Sequence, residues 1–325
     1  MHSLSSPLPP EAKCTRCRSR ATIRLSSHHA LFCPECFLVF FHRAVSRAMK
    51  EFGVSAATPI MIAVSGGKDS LALWDVLHQL GYPVEGLHIN LGIHDFSRAS
   101  SGAVDRFARS RGLSWREVFL EEIFGYAIPE IRRRTRRKIC SVCGLLKRQL
   151  LNRLVVREGY AVLATGHNLD DEAGRLLGNL VRHRRQYLEK LSPFLPSPHP
   201  RLPIKMKPLY RLEAGEIRLY CQIRGIEPVD SLCPLSRGAT SHAFKEALQF
   251  LEDKMGGTKR DFLFGYLDRP AREASMPGFG TCARCGEPTY SDLCSVCGLK
   301  SRLDGKKGKE TDAVPNIPAP QIKGS

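Results

Sequence analysis

The sequence predicts an α/β protein: a parallel sheet with helices on both faces, flanked by a small cysteine-rich module near each end of the chain. Three observations carry that expectation. Short apolar runs of strand type alternate with amphipathic stretches between residues 59 and 181, the pattern of strands joined by helical crossovers. A glycine-rich turn, Ser65-Gly66-Gly67-Lys68-Asp69-Ser70, lies between the first such strand and the first such helix. Ten of the twelve cysteines fall in Cys-x-x-Cys pairs.

Length and composition set the bounds. A chain of 325 residues predicts about two domains with a sizeable core. With 42% hydrophobic and 25% charged residues it is neither a disordered chain nor a coiled-coil rod. Forty-nine Lys and Arg against 32 Asp and Glu leave +17, which points to a polyanionic partner, nucleic acid above all. No apolar run approaches the roughly 20 residues of a membrane span; residues 31–41 are short and hold Pro34 and Glu35. Residues 1–13 lack the basic-then-apolar order of a secretory signal, so the expected location is cytoplasmic and reducing.

In that compartment paired cysteines point to metal, because two thiolates on one tight turn converge on a soft cation. Cys14/Cys17 with Cys33/Cys36, and Cys282/Cys285 with Cys294/Cys297, make two four-thiolate sets. Each is expected to hold a structural zinc, whose binding offsets the ordering entropy of segments too short to bury a core. His28 and His29 lie between the first two pairs and leave a ligand swap with Cys33 or Cys36 open.

The elements run in order along the chain. Residues 37–52 have helical apolar spacing and stop at Gly53, so a helix links the first knuckle to the α/β region. Strand 59–64 leads through the glycine-rich turn to a helix at 70–80 that ends at Gly81. Strands are expected at 84–91, 115–120 and 161–164, and helices at 99–111 and 169–181. Residues 193–208 read as a Pro-rich connection, 214–224, 241–255 and 259–267 as helices, and the stretch beyond Leu299 as a disordered tail. The resulting division is 1–52 (N-terminal zinc finger and linking helix), 53–235 (α/β catalytic domain), 236–275 (helical), 276–300 (C-terminal zinc finger) and 301–325 (tail).

The glycine-rich turn opens a helix, so its backbone N–H groups can form a nest for phosphate oxygens. It is no Walker loop, which would need Gly at Ile62 and Ser or Thr at Asp69. Gly66 and Gly67 permit close approach, Lys68 neutralises phosphate charge, Asp69 can hold magnesium, and Ser65 and Ser70 supply hydroxyl donors. Cys140-Ser141-Val142-Cys143 precedes a helix with Lys147 and Arg148, and Cys233-Pro234 would complete a three-thiolate set. On residues alone a [4Fe-4S] cluster, a zinc site with Cys221 as fourth ligand, and a redox dithiol all stay open. The neighbours of Cys221, Ile217, Tyr220 and Ile223, read as a helix core in which it packs as a small hydrophobe.

The SGGKDS turn resembles the PP-loop of the ATP pyrophosphatases, of adenine nucleotide alpha hydrolase-like fold, which grip a triphosphate and transfer AMP to a substrate oxygen. Adding Leu87-His88-Ile89-Asn90-Leu91-Gly92-Ile93, CSVCGLLKR at 140–148, TGHNLDDE at 165–172, Cys233 and the terminal knuckles, the chain resembles the tRNA 2-thiolation enzymes of the TtuA/TtcA PP-loop family, nearest the TtuA type that thiolates 5-methyluridine. The likeness runs over most of residues 14–297. It implies ATP with Mg2+, a [4Fe-4S] cluster on Cys140, Cys143 and Cys233, two Zn2+, and a tRNA substrate whose C2 oxygen is adenylated and then replaced by sulfur. It also implies a ubiquitin-like carrier with a C-terminal thiocarboxylate and a homodimer. By the same resemblance Lys147 would face the α-phosphate and the developing charge at the C2 oxygen, and Asp171 would bind magnesium or accept a proton. Gly166 would let its strand end approach the nucleotide, and Ala63 and Ile89 would offer backbone contacts to adenosine. A solvated helix lysine and a helix N-terminal carboxylate are the plain alternatives for Lys147 and Asp171. The departures are Cys36, where relatives use His, and His94, in place of a small residue. Arg132, Arg133, Arg134, Arg136, Arg137 and Lys138, with Arg182, Arg184 and Arg185, are expected to grip RNA phosphates. Wobble-uridine or cytidine 2-thiolation, a different PP-loop enzyme, a persulfide relay through Cys140 or Cys233, and a non-catalytic zinc-ribbon RNA-binding protein are the competing readings.

Overall fold

The computed structural model describes residues 8–229, 233–236, 240–268, 279–305 and 321–323. In chain order the elements are β1 (Ile23–Leu25), β2 (Ala30–Phe32), α1 (Pro34–Glu51), β3 (Ile60–Ala63), α2 (Lys68–Gln79), β4 (Val84–Asn90), α3 (His94–Arg111), β5 (Trp115–Phe119), α4 (Leu120–Phe124), α5 (Ile128–Arg134) and α6 (Ile139–Arg157). Next come β6 (Val162–Thr165), α7 (Leu169–Val181), α8 (Arg185–Leu188), β7 (Phe194–Leu195), β8 (Ile204–Met206), α9 (Ala214–Arg224), α10 (Thr240–Lys254), α11 (Thr258–Leu267), β9 (Gly280–Thr281), β10 (Pro288–Thr289), α12 (Ser295–Asp304) and β11 (Gln321–Lys323).

The main sheet runs β11-β5-β4-β3-β6-β8-β7. Its five inner strands are parallel and the two edges antiparallel. Alternate residues feed opposite faces, as the two-residue period of a strand requires. Ile60, Ile62, Val162 and Ala164 enter one core with α1, α2, α3 and α9; Met61, Leu87, Ile89 and Leu163 enter a second with α4, α5, α6 and α12. The linking helix α1 buries Phe37, Phe41, Val45 and Met49 along one stripe, and Phe41 stacks on Tyr220 of α9 at 4.0 Å.

Several expectations need correcting. Residues 193–208 are not merely a connection: Phe194 pairs with Met206 and Leu195 with Lys205, and β8 joins β6. The prolines mask two strands too short to show a period. The Cys140–Cys143 pair lies inside the first turns of α6 instead of preceding it, and α4 and α5 fill a stretch to which the sequence pattern assigns no element. Within the expected tail, residues 301–304 complete α12, where Leu303 is buried, and 321–323 pair with β5.

A fully buried carboxylate ties three helices together. Asp75 of α2 accepts from Arg111 Nε at 2.8 Å, Arg224 Nε at 2.9 Å and the Tyr220 hydroxyl at 2.7 Å. Burial would raise its pKa, but Arg224, Tyr220 and Arg111 outweigh that and hold it below the usual carboxylate range. A lowered folded pKa stabilises the fold above the unfolded value of about 3.9, and that contribution is lost as pH falls through the folded value. Asp75→Ala, which strands two guanidinium groups, is expected to cost about 3 kcal/mol in urea unfolding at neutral pH, and the gap from wild type should close in strong acid.

Candidate active site

The strand order reverses between β3 and β6, and open α/β sheets bind ligands in the crevice outside the carboxyl ends of such strands. Beyond Ala63, residues 64–67 turn the chain into α2, whose first N–H groups have no partner within the helix. Gly66 takes φ +76°, and a Cβ there would lie 2.6 Å from the Ser100 carbonyl oxygen of α3. Ser65 and Ser70 brace this turn from within. The Ser70 hydroxyl donates to the Gly67 carbonyl at 2.9 Å and accepts the Ser65 N–H at 3.1 Å, so Ser70 shapes the loop instead of offering its proton outward. Lys68 pairs with Asp69 at 2.5 Å.

The turn after β6 is locked onto the same loop. A Cβ on Gly166 would sit 2.7 Å from the Asp69 carbonyl carbon and 2.8 Å from the Ser70 nitrogen, so only glycine fits. Asn168 donates Nδ2–H to Asp69 Oδ1 at 2.9 Å and caps α7, accepting the Asp171 N–H at 3.0 Å. Asp171 returns the bond, taking the Asn168 N–H on Oδ2 at 3.1 Å, and its Oδ1 receives the Lys245 ammonium. Burial would raise the Asp171 pKa, but Lys245 and His167 hold it below the usual carboxylate range. The Asp171 carboxylate therefore has a structural partner on each oxygen.

Lys245 is not legible in the sequence as a site residue. It arrives on α10, which packs closely on α7 because Gly174 and Gly178 leave room. A Cβ on Gly174 would lie 3.0 Å from Lys245 Cγ, and one on Gly178 would lie 3.1 Å from the Phe244 ring. Two glycines four residues apart on an amphipathic helix are the available signal.

The third cysteine set converges beside this crevice. Cys140 Sγ lies 3.6 Å from the Leu235 carbonyl, and Cys143, Cys233 and Leu235 pack together against the second core. Burial pushes the Cys143 thiol up; the Lys147 ammonium opposes it, while Cys233 and Cys140 add to it. Lys147 is exposed one turn after Cys143. Cys221 is buried on α9, 3.6 Å from the Lys68 carbonyl, and burial raises its thiol to about 12; it packs as a core residue.

Among the described residues the four sulfurs of each terminal knuckle lie within 4.8 Å of one another. Cys17–Cys33 and Cys285–Cys294 are each 3.7 Å apart. Tetrahedral thiolates at about 2.3 Å from one zinc would be about 3.8 Å apart, so both sets fit a single soft ion. Cys140, Cys143 and Cys233 do not form such a compact group among the described residues. His28 is no ligand: its Nε2 meets Arg260 Nη2 at 2.9 Å.

Near the other strand ends, a cavity of about 500 Å³ is lined by Asn90, Gly92, His94, Asp95, Ser97 and Arg98. His94 there takes φ +34°, in the region L side chains avoid. Ala63 lies half-buried at the end of β3, and Ile89 is buried in β4. Of the basic runs, Arg132, Arg133, Arg136, Arg137 and Lys138 are exposed, and Arg134 pairs with Glu130 at 2.8 Å. Arg182 covers the Phe244 ring, Arg184 lies over Tyr187, and Arg185 is exposed.

Residues 39–230 match the PP-loop domain family, and residues 13–38 match the family described as the 2-thiouridine synthetase TtuA N-terminal LIM domain. The tRNA-5-methyluridine(54) 2-sulfurtransferase of Thermus thermophilus is 41% identical over 288 residues, 87% of this chain and 89% of that protein. Its counterpart in Thermotoga maritima is 37% identical over 300 residues, 91% and 99% of the two chains. The U34-tRNA thiolase NcsA from Methanococcus maripaludis, solved with its [4Fe-4S] cluster, superposes with a TM-score of 0.80 at 25% identity, covering 94% of this chain and 99% of that one. With a glycine-locked phosphate loop, three cysteines beside it and relatives of this kind over nearly its whole length, the chain belongs to the PP-loop tRNA 2-thiolation enzymes of the TtuA type and is a tRNA sulfurtransferase.

Proposed function

We propose that the enzyme thiolates C2 of 5-methyluridine 54 in the tRNA T-loop, activating the C2 oxygen with ATP before sulfur replaces it. The observation that supports this most is how the run from Val229 to Leu235, which contains Cys233, is held at both ends. The Val229 N–H donates to the Gly66 carbonyl of the phosphate loop at 2.9 Å, and Leu235 offers its carbonyl to the Cys140 thiol. The described residues on either side of residues 230–232 are thus tied one to the nucleotide grip and the other to the thiolate set.

The residues divide the work. Gly66, Gly67 and the first N–H groups of α2 take the triphosphate, Lys68 neutralises it, and Asp69 carries Mg2+ once Lys68 turns to phosphate. Ser65 and Ser70 hold the loop shape. Ala63 and Ile89 bound the adenosine, and Gly166 keeps the β6 end against the loop. Lys147 offsets charge at the α-phosphate and at the C2 oxygen. Asp171, fixed by Lys245, completes the acidic side as a Mg2+ partner. A [4Fe-4S] cluster on Cys140, Cys143 and Cys233 would supply an open iron at which sulfur is held as nucleophile. The exposed Arg132–Lys138 run and Arg185 take tRNA phosphates, so binding should weaken steeply with salt. A ubiquitin-like thiocarboxylate carrier as donor, a homodimer and a cytoplasmic location complete the reading; among the described residues no helix is long and apolar enough to cross a membrane.

Anaerobic enzyme with ATP, sulfide and tRNA that carries 5-methyluridine at position 54 but no 2-thio group should release AMP and pyrophosphate and yield 2-thio-5-methyluridine by nucleoside mass spectrometry. Thiolation at the wobble uridine or at cytidine instead would overturn the assigned position. Gly166→Ala should weaken ATP binding at least tenfold, read by calorimetry, with little change in melting temperature, because the displaced loop lies at the sheet's open end. Metal analysis should find two zincs and a four-iron cluster per chain. Cys294→Ser should remove one zinc and also lower iron retention, because the C-terminal knuckle braces α6 through Gln149 to Cys294 at 3.6 Å and Arg153 to Glu287 at 3.5 Å.

A further inference from the structure

We propose that His167 is a catalytic residue that takes the N3 proton of the target pyrimidine as its C2 oxygen attacks ATP. This rests on the adenylation reading above. Oxygen-2 of a uridine becomes a good nucleophile only if N3–H is released as the O2–P bond forms. The N–H pair then moves into an N3=C2 double bond, the bond from the α-phosphorus to pyrophosphate breaks, and the proton passes to an acceptor. When hydrosulfide later adds at C2 and the C2–O bond to AMP breaks, one proton reaches N3 of the product and one is released to solvent. The site must therefore contain a proton acceptor with a free lone pair.

The other candidates are engaged. Asp171 has Lys245 on one oxygen and the Asn168 N–H on the other. Asp69 holds Lys68 and Asn168 on Oδ1. Glu172 and His88 each keep one unpartnered atom, Oε1 and Nε2, but both are shut away from substrate: Glu172 is buried against Lys207 at 2.6 Å, and His88 is buried with Nδ1 on the Val64 carbonyl at 2.8 Å. His167 differs from these two in being exposed. Its Nδ1 lies 2.8 Å from the Thr165 hydroxyl at the end of β6, which fixes the ring, and among the described residues Nε2 has no hydrogen-bond partner. In the tautomer that donates Nδ1–H to Thr165, Nε2 carries the free lone pair. The ring is exposed, yet it stands between Gly166, pressed against Asp69 and Ser70, and Asn168, bonded to Asp69. It thus sits, exposed, in the turn that meets the phosphate loop. Crowding there strips water from the imidazolium and lowers its pKa, against the pull of Asp171 and Glu172 on α7 and with the push of Lys207 after β8 and Arg175 on α7. That lowering favours the neutral ring, the form that can accept a proton.

The test uses anaerobic full-length enzyme carrying its iron, ATP and tRNA that carries 5-methyluridine at position 54 but no 2-thio group, following tRNA-dependent AMP release. His167→Ala should lower kcat about 100-fold or more with KM for ATP within about twofold of wild type. Added imidazole should restore turnover in proportion to its concentration, and the rescued rate should follow the free base of the added imidazole as pH is varied. His167→Gln, which keeps a polar side chain of similar reach, should be as slow as His167→Ala at matched iron content and melting temperature. A fast Gln variant, or a slow Ala variant that imidazole leaves slow, overturns the role of His167. Wild-type thiolation without any AMP release overturns the adenylation reading instead.

Discussion

The contact between the Gly166 backbone and the start of α2 is the constraint on which the rest of the site depends. Two parallel strands at the point of reversal end side by side, and the turns that leave them must share one small volume. Glycine at 66 and at 166 lets them do so, and Asn168 stitches them with a bond to Asp69 while capping α7. Because that cap also aligns Asp171, one polar residue sets the phosphate loop and the acidic pair in a common frame.

Around this frame the knuckles act as braces. The N-terminal one feeds α1, whose aromatic stripe lies on α9, and the C-terminal one lies on α6 with Leu299 and Leu303 in the second core and Asp304 bonded to Tyr126 at 2.7 Å. Each metal module, near an end of the chain, therefore packs on a helix that borders the crevice's supporting core. The placement explains how segments with so little apolar surface of their own belong to the folded unit.

Much of this is legible in the sequence. α7 and α9 begin and end where periodicity places them, since a capping asparagine starts one and a left-handed glycine ends the other. The cysteine sets are legible because spacing on a tight turn is a local property. The features that escape depend on tertiary pairing. The β7–β8 hairpin has too few residues to show a period, and Lys245 reaches Asp171 only because α10 docks on two glycines of another helix. Ser70 turns inward to link the Ser65 N–H to the Gly67 carbonyl, and nothing local announces that bridge. The iron reading of Cys140, Cys143 and Cys233, by contrast, is open on residues alone and rests on resemblance.

The bond from Val229 to Gly66 has a thermodynamic corollary. Cys233 lies four residues beyond Val229, so the proposed cluster and the Gly66 peptide are close enough along the chain for one to bias the other. Linkage is reciprocal: if nucleotide favours one setting of that backbone, metal on the thiolates favours the nucleotide by an equal factor. An apoprotein stripped of its iron would then also be a poorer host for ATP, and would spend less of it idly.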